Sequence, residues 1–193
     1  MKTELNLLGE NELIALCKEQ LPYIPTGFEE LVKRYQKKVF YLCKRYLSAE
    51  SDAEDATQEV FMKVFHALQS FDNRSAFTTW LFSIAINHCK TLLAKNQLHN
   101  QRYEYGNDQA ESDYLDDNED NSSDAETLDE KKCIQEVIHK MKPDERDMIL
   151  LRFTSELPID DIAEIIGKKL SATKMGFYRA LEKFKDLYEK FCL

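Results

Sequence analysis

Residues 51–71, SDAEDATQEVFMKVFHALQSF, decide the fold class. Apolar side chains recur at Ala53, Ala56, Val60, Phe61, Val64 and Leu68, the three-and-four spacing of one buried helical stripe. Ser51 and Glu54 form an S-x-x-E capping box, in which each side chain satisfies a free amide of the first turn. The pattern predicts a helix from there to about Ser70. Asp52, Glu54, Asp55 and Glu59 crowd its first turns, where the helix dipole favours negative charge. Upstream, Phe28, Leu31, Val32, Tyr35, Val39, Leu42, Cys43 and Tyr46 give a second stripe, with Lys and Arg opposite. Downstream, Phe71 to Ala76 reads as a short polar loop. A third helix follows, from about Phe77 to Lys95, carrying Trp80, Leu81, Ile84, Ala85 and Leu92. The chain up to about residue 100 is therefore expected to be a bundle of three or four helices.

The C-terminal part is read in the same way. Thr127-Leu-Asp-Glu130 is a second capping box, opening a helix to about Met141. Pro143, with Asp144 and Glu145, starts another, whose Met148, Ile149, Leu151 and Phe153 are expected in the core. Pro158 suits the first position of a short helix, with Asp160 and Asp161 in its first turn. Gly167 supplies a permissive turn, and Ser171 is expected to cap a last helix to about Phe191. Short helix, glycine turn and longer basic helix make the outline of a helix-turn-helix. Lys168, Lys169, Lys174 and Arg179 stand at and after the turn, where DNA phosphates would give salt-sensitive affinity.

The net charge of −9 argues, at face value, against nucleic acid. Its distribution says otherwise. Residues 107–126 hold nine acids and no base, so the rest of the chain is neutral. Within that rest, Lys33–Arg45 carries six bases and no acid, and Lys168–Lys185 six bases against Glu182 alone. The acidic stretch is too poor in apolar residues to fold alone and reads as a linker. A calcium loop there fails. Asp116, Asn118 and Asp120 fit its start, but Asn121 replaces the turn glycine and Thr127 the bidentate glutamate. Cys17, Cys43, Cys89, Cys133 and Cys192 form no C-x-x-C pair and are expected to be reduced and structural. His66, His88, His99 and His139 have no metal-ligand spacing, and no nucleophilic or metal site is expected. No apolar run reaches the ~18 residues of a membrane span, and Glu4, Glu10, Glu12 and Glu19 leave no room for a signal peptide. A cytoplasmic protein is expected.

Ser51 to Asp72, followed by SAFTTWLFSIAINHCKTLL at 75–93, closely resembles the second conserved region of extracytoplasmic-function sigma factors. KPDERDMILLRFTSELPIDDIAEIIG at 142–167 resembles their fourth. The resemblance implies an all-α protein of two small helical domains: a region 2 domain over 1–97, a flexible linker over 98–126, and a region 4 helix-turn-helix domain over 127–193. It implies a sigma factor, a promoter-reading subunit of RNA polymerase, with no enzymatic activity and no cofactor. Asp52, Glu54, Asp55, Gln58 and Glu59 match the surface that docks on the clamp helices of the polymerase β′ subunit. Phe71, Arg74, Phe77, Trp80, Asn87, Lys90 and Lys95 match the reader of the −10 element. Lys168, Lys169, Ser171, Thr173, Lys174, Tyr178 and Arg179 match the −35 reader, held near the β flap. An anti-sigma factor, often membrane-bound in this family, is the further implied partner; insertion of this chain into a membrane is not implied.

Two departures stand out. Housekeeping sigma factors carry two adjacent tryptophans where this chain has Trp80-Leu81, which suggests a weaker melting wedge. The family's usual G-T-V-K-S-R-L-H-R-A becomes SATKMGFYRA at 171–180, placing Gly176 inside a helix, where it permits close approach to DNA or to another helix. The competing classes are a dimeric helix-turn-helix regulator that binds duplex DNA without polymerase and a helical adaptor. The paired motifs in their family order disfavour both.

Overall fold

In the computed structural model, residues 5–47, 49–104 and 125–193 are described, the side chains of 96–104 and 125–128 excepted. Among them the order is α1 Glu10–Gln20, α2 Thr26–Leu47, α3 Glu50–Ala67, a 3₁₀ turn Leu68–Ser70 and α4 Phe77–Glu104. Then come α5 Ala125–Lys140, α6 Pro143–Phe153, α7 Ile159–Ile165 and α8 Leu170–Cys192. The fold is all-α, as the stripes predict. No helix among the described residues is long and apolar enough to cross a membrane. The stretch at 105–124, with the candidate calcium positions, lies outside the described residues.

The stripes become the first core. Leu31, Val39, Leu42, Cys43 and Tyr46 of α2 meet Ala53, Ala56, Val60, Phe61 and Val64 of α3 and Leu81, Phe82, Ala85, Ile86 and Cys89 of α4. Helix α1 adds Leu13, Ile14 and Cys17. It is tied to α2 by the Tyr35 hydroxyl, which donates to Glu10, and the segment before it by Arg34, which donates to the carbonyls of Leu5 and Leu8. The same buried cluster continues through Ile138, Met141, Met148–Leu151, Leu157, Ile162, Phe177 and Ala180 of the C-terminal part.

Helix starts differ from the sequence pattern. Ala49, not Ser51, is the N-cap of α3, because Glu50 already pairs with Lys44 at 3.0 Å and draws the first turn back toward α2. Helix α5 begins at Ala125, so Thr127 lies inside it. Pro158 is the N-cap of α7 and not its first residue. Lys169 caps α8, and its carbonyl receives both the Thr173 amide and the Thr173 hydroxyl. The turn before it follows expectation. Gly167 has φ +66°, and amides of Gly167 and Lys168 return to the Glu164 and Ala163 carbonyls, a Schellman closure. Phe153 is not a core residue: α6 ends there, and the side chain is 62% exposed beside Phe177.

Cys17, Cys43 and Cys89 are free and buried. Cys43 and Cys89 face one another across α2 and α4 with sulfurs 3.6 Å apart. Burial pushes the Cys17 thiol up to about 11, so it is unreactive. Cys133 and Cys192 depart from the expected thiols. They form a disulfide between α5 and the end of α8, with Cα atoms 5.8 Å apart. Residues 59 positions apart meet here only because the two helices pack. Closing a loop of that length is worth at most roughly 4 kcal/mol in the chain-entropy account. Reduction by dithiothreitol, or Cys133→Ser, is expected to lower the calorimetric unfolding midpoint, while Cys17 stays unreactive in both states. An unchanged midpoint would remove the stabilising role.

Candidate nucleic-acid and polymerase interface

Because Ala53, Ala56, Val60, Phe61 and Val64 face inward, the residues between them face out. Asp52, Glu54, Asp55, Gln58 and Glu59 are all exposed, and make one acidic and amide surface at the start of α3. Below it, Lys63, Ala67, Ile84, Asn87, His88 and Thr91 line an open concavity of about 340 Å³ between α3 and α4. His88 is buried, with Nδ1 2.5 Å from the Lys63 ammonium and Nε2 3.4 Å from Glu59. An ammonium only donates, so Nδ1 accepts and the ring proton sits on Nε2, toward Glu59. Burial, and then the Lys63 charge, hold His88 below the usual histidine range.

The residues matched to the −10 reader fall into two sets. Arg74, Asn87 and Lys95 are exposed. Arg74 pairs with Asp72 at 2.5 Å, in a loop where Asn73 takes the left-handed φ of +59°. Phe71 and Phe77, by contrast, are core residues, 4% and 2% exposed. Their rings lie 4.9 and 5.8 Å from that of half-buried Trp80. Neither is free to stack on a base; the trio instead props the loop. Lys18 of α1 reinforces it by donating to the Phe71 carbonyl. Leu81 is wholly buried, so the second wedge position faces the core and not DNA. Sequence reasoning missed Glu10 and Asn11 of α1. With Asn73–Phe77 they line a second concavity of about 690 Å³.

On α8, Lys174, Tyr178, Arg179 and Ser171 are exposed, as are Lys168 and Lys169 before it. Lys168 holds Asp144 at 2.6 Å. Thr173 is the exception: fully buried, it cannot reach a base. Gly176 has a packing explanation. A Cβ there would lie 3.2 Å from the Met148 side chain, so its absence lets α6 approach α8.

The two domains touch. Asp147 of α6, fully buried, accepts the Tyr46 hydroxyl of α2 and pairs with Lys90 of α4. The Arg146 guanidinium lies 5.1 Å over the Tyr46 ring. Gln135 of α5 accepts from Arg45 at 3.1 Å and donates to the Arg45 carbonyl at 3.0 Å. Lys38 pairs with Glu156 at 2.5 Å. Lys90, matched to the −10 reader, is thus engaged by the other domain. A hint was available: Asp147 lies three and four positions before Leu150 and Leu151, on their buried stripe.

Two family models match, sigma-70 region 2 over residues 31–99 and sigma-70 region 4 over residues 131–184. The ECF RNA polymerase sigma-E factor of Haemophilus influenzae is 31% identical over 164 residues, 83% of this chain and 86% of that one. This chain belongs to the sigma-70 family. Within it, the chain is an extracytoplasmic-function sigma factor, which directs transcription initiation. The Bacillus subtilis factor SigW is 27% identical over 184 residues, 88% of this chain and 95% of its own. Among solved structures, CnrH in complex with the cytosolic domain of CnrY superposes with a TM-score of 0.68 at 21% identity, covering 92% of this chain and 96% of that one. The sigma factor RpoE of Bartonella quintana, in complex with the anti-sigma factor NepR, gives 0.65 at 20%, covering 84% and 96%. Both share the fold.

Two histidines, His88 buried and His139 at the surface, give the sigma factor a pH dependence. Both are held low by loss of solvent first, then by Lys63 and Arg146 respectively. The unfolded chain therefore takes up these protons first, and folding stability falls as pH drops below the unfolded value near 6.5. Urea midpoints measured from pH 7.5 to 5.5 should decline, and His88→Asn should flatten the slope. An unaltered slope would contradict the assignment.

Proposed function

We propose that this sigma factor docks on core RNA polymerase through Asp52, Glu54, Asp55, Gln58 and Glu59, against the clamp helices of β′. The exposed acidic face of α3 is the observation that carries this reading. Acid and amide groups left in water suit a basic partner surface, where complementarity sets specificity and rate of encounter. The domain over 1–97 then takes the −10 strand. Arg74, Lys90 and Lys95 hold the backbone, a positioning role. Trp80 and Asn87 offer a ring and an amide to unstacked bases. The concavity beside Asn73–Phe77 is where an extruded base fits.

The domain over 127–193 lays α8 in the −35 major groove, near the β flap. Lys168, Lys169 and Lys174 contact phosphate, and Ser171, Tyr178 and Arg179 approach the base edges. The acidic stretch over 98–126 joins the two as a linker. Work is done in the cytoplasm, and an anti-sigma factor silences the protein. The complexes in which CnrH and the Bartonella RpoE were solved support that last partner.

Run-off transcription with purified core polymerase tests the whole. Discrete transcripts sharing −35 and −10 sequences are expected only when the protein is added; none, with no comigration with core, would sink the reading. Lys174→Ala should weaken binding to −35 duplex and reduce the salt slope of log K by about one, and Arg179→Ala should weaken it and relax sequence preference. Full retention at moderate salt would remove α8 from the groove.

A further inference from the structure

We infer that Met175 and Ala172 set part of this sigma factor's promoter choice, by reading the C5-methyl groups of two neighbouring thymines in the −35 element. The inference rests on the reading of α8 as the helix that enters the major groove. Thr173, Phe177 and Ala180 of α8 are buried, which fixes the opposite side of the helix as the outward one. Over the first three turns that side presents Ser171, Ala172, Lys174, Met175, Tyr178 and Arg179, all exposed. Of these, Met175 points most directly away from the buried three, at 3.6 residues to the turn. It is 58% exposed. Ala172 stands one turn before it on the same row. Lys168 and Lys169 at the entry and Lys174 beside the row suit phosphate, so the row between them faces the groove floor. Glu182, the first acid of α8, follows two turns after Met175 and marks where that surface ends, since a carboxylate is repelled by the DNA backbone.

Ser171, Tyr178 and Arg179 can hydrogen-bond to base edges, whereas Met175 and Ala172 bring only apolar surface. Laid against an N–H or a lone pair, such surface strips water from the base edge and leaves the polar group unpaired. Thymine alone carries an apolar group on the major-groove edge, its C5-methyl. The unbranched, polarizable methionine adapts its shape to such a contact. Three residues advance about 4.5 Å along a helix, close to the ~3.4 Å step between bases of one strand. The two side chains therefore meet neighbouring base pairs.

The test uses holoenzyme assembled from the full chain and core polymerase, on a promoter fragment recovered by run-off transcription. Each −35 thymine, on either strand, is replaced in turn by deoxyuridine, which lacks only the methyl. The wild type is expected to lose about fourfold in affinity at each of two neighbouring thymines, the worth of one methyl taken out of water. Met175→Ser should abolish the response at one of them and Ala172→Ser at the other, while Met175→Leu keeps it. Both positions are exposed, so the variants leave the core intact. A −35 element without thymine, a wild type indifferent to every deoxyuridine, or a response that survives Met175→Ser would overturn the inference. Lys174→Ala checks the underlying reading in the same assay. If it weakens binding while deoxyuridine does not, α8 stays in the groove and only the methyl reading falls; if neither weakens binding, both fall.

Discussion

The Asp147 carboxylate has no access to solvent, and the arrangement of the two domains depends on that fact. A buried charge is tolerated only where its partners replace water. Here the partners, Tyr46 and Lys90, come from two helices of the other domain. Losing one member of a fully buried pair costs roughly 3–5 kcal/mol, and a half-wet lysine brings the figure down. Burial first, and then the Asp147 charge, push the Tyr46 hydroxyl well above its ordinary range, so it donates throughout. Around Asp147 the contact is polar and directional, while buried apolar side chains of both domains run together in one continuous core.

The exposed face of α3 and the basic turn before α8 both stand on helices whose opposite sides are buried. The loop at 71–76 gains its fixity differently. Phe71 and Phe77 pack beneath it against half-buried Trp80, so two rings that could have stacked on bases serve as its floor. What remains outward is Arg74, Asn73 and the polar edge contributed by α1. Gly176 shows the same economy in α8, where a departure from the family's usual residue makes room for Met148.

The sequence by itself determined the helices, their buried stripes, the glycine turn before α8 and the exposed acids of α3, because each depends on neighbours three or four residues away. Paired motifs in their order carried the family. Exact caps were not legible, since the Lys44–Glu50 ion pair and the Lys169 carbonyl decide where α3 and α8 begin. Only the tertiary structure decided which aromatic rings face solvent, that Thr173 points inward, that Cys133 meets Cys192, and that Lys90 is taken by Asp147. Those pairings join residues dozens of positions apart. No local periodicity encodes them; they exist because packed helices bring distant side chains to one place, and because a buried charge must then find its counterpart there.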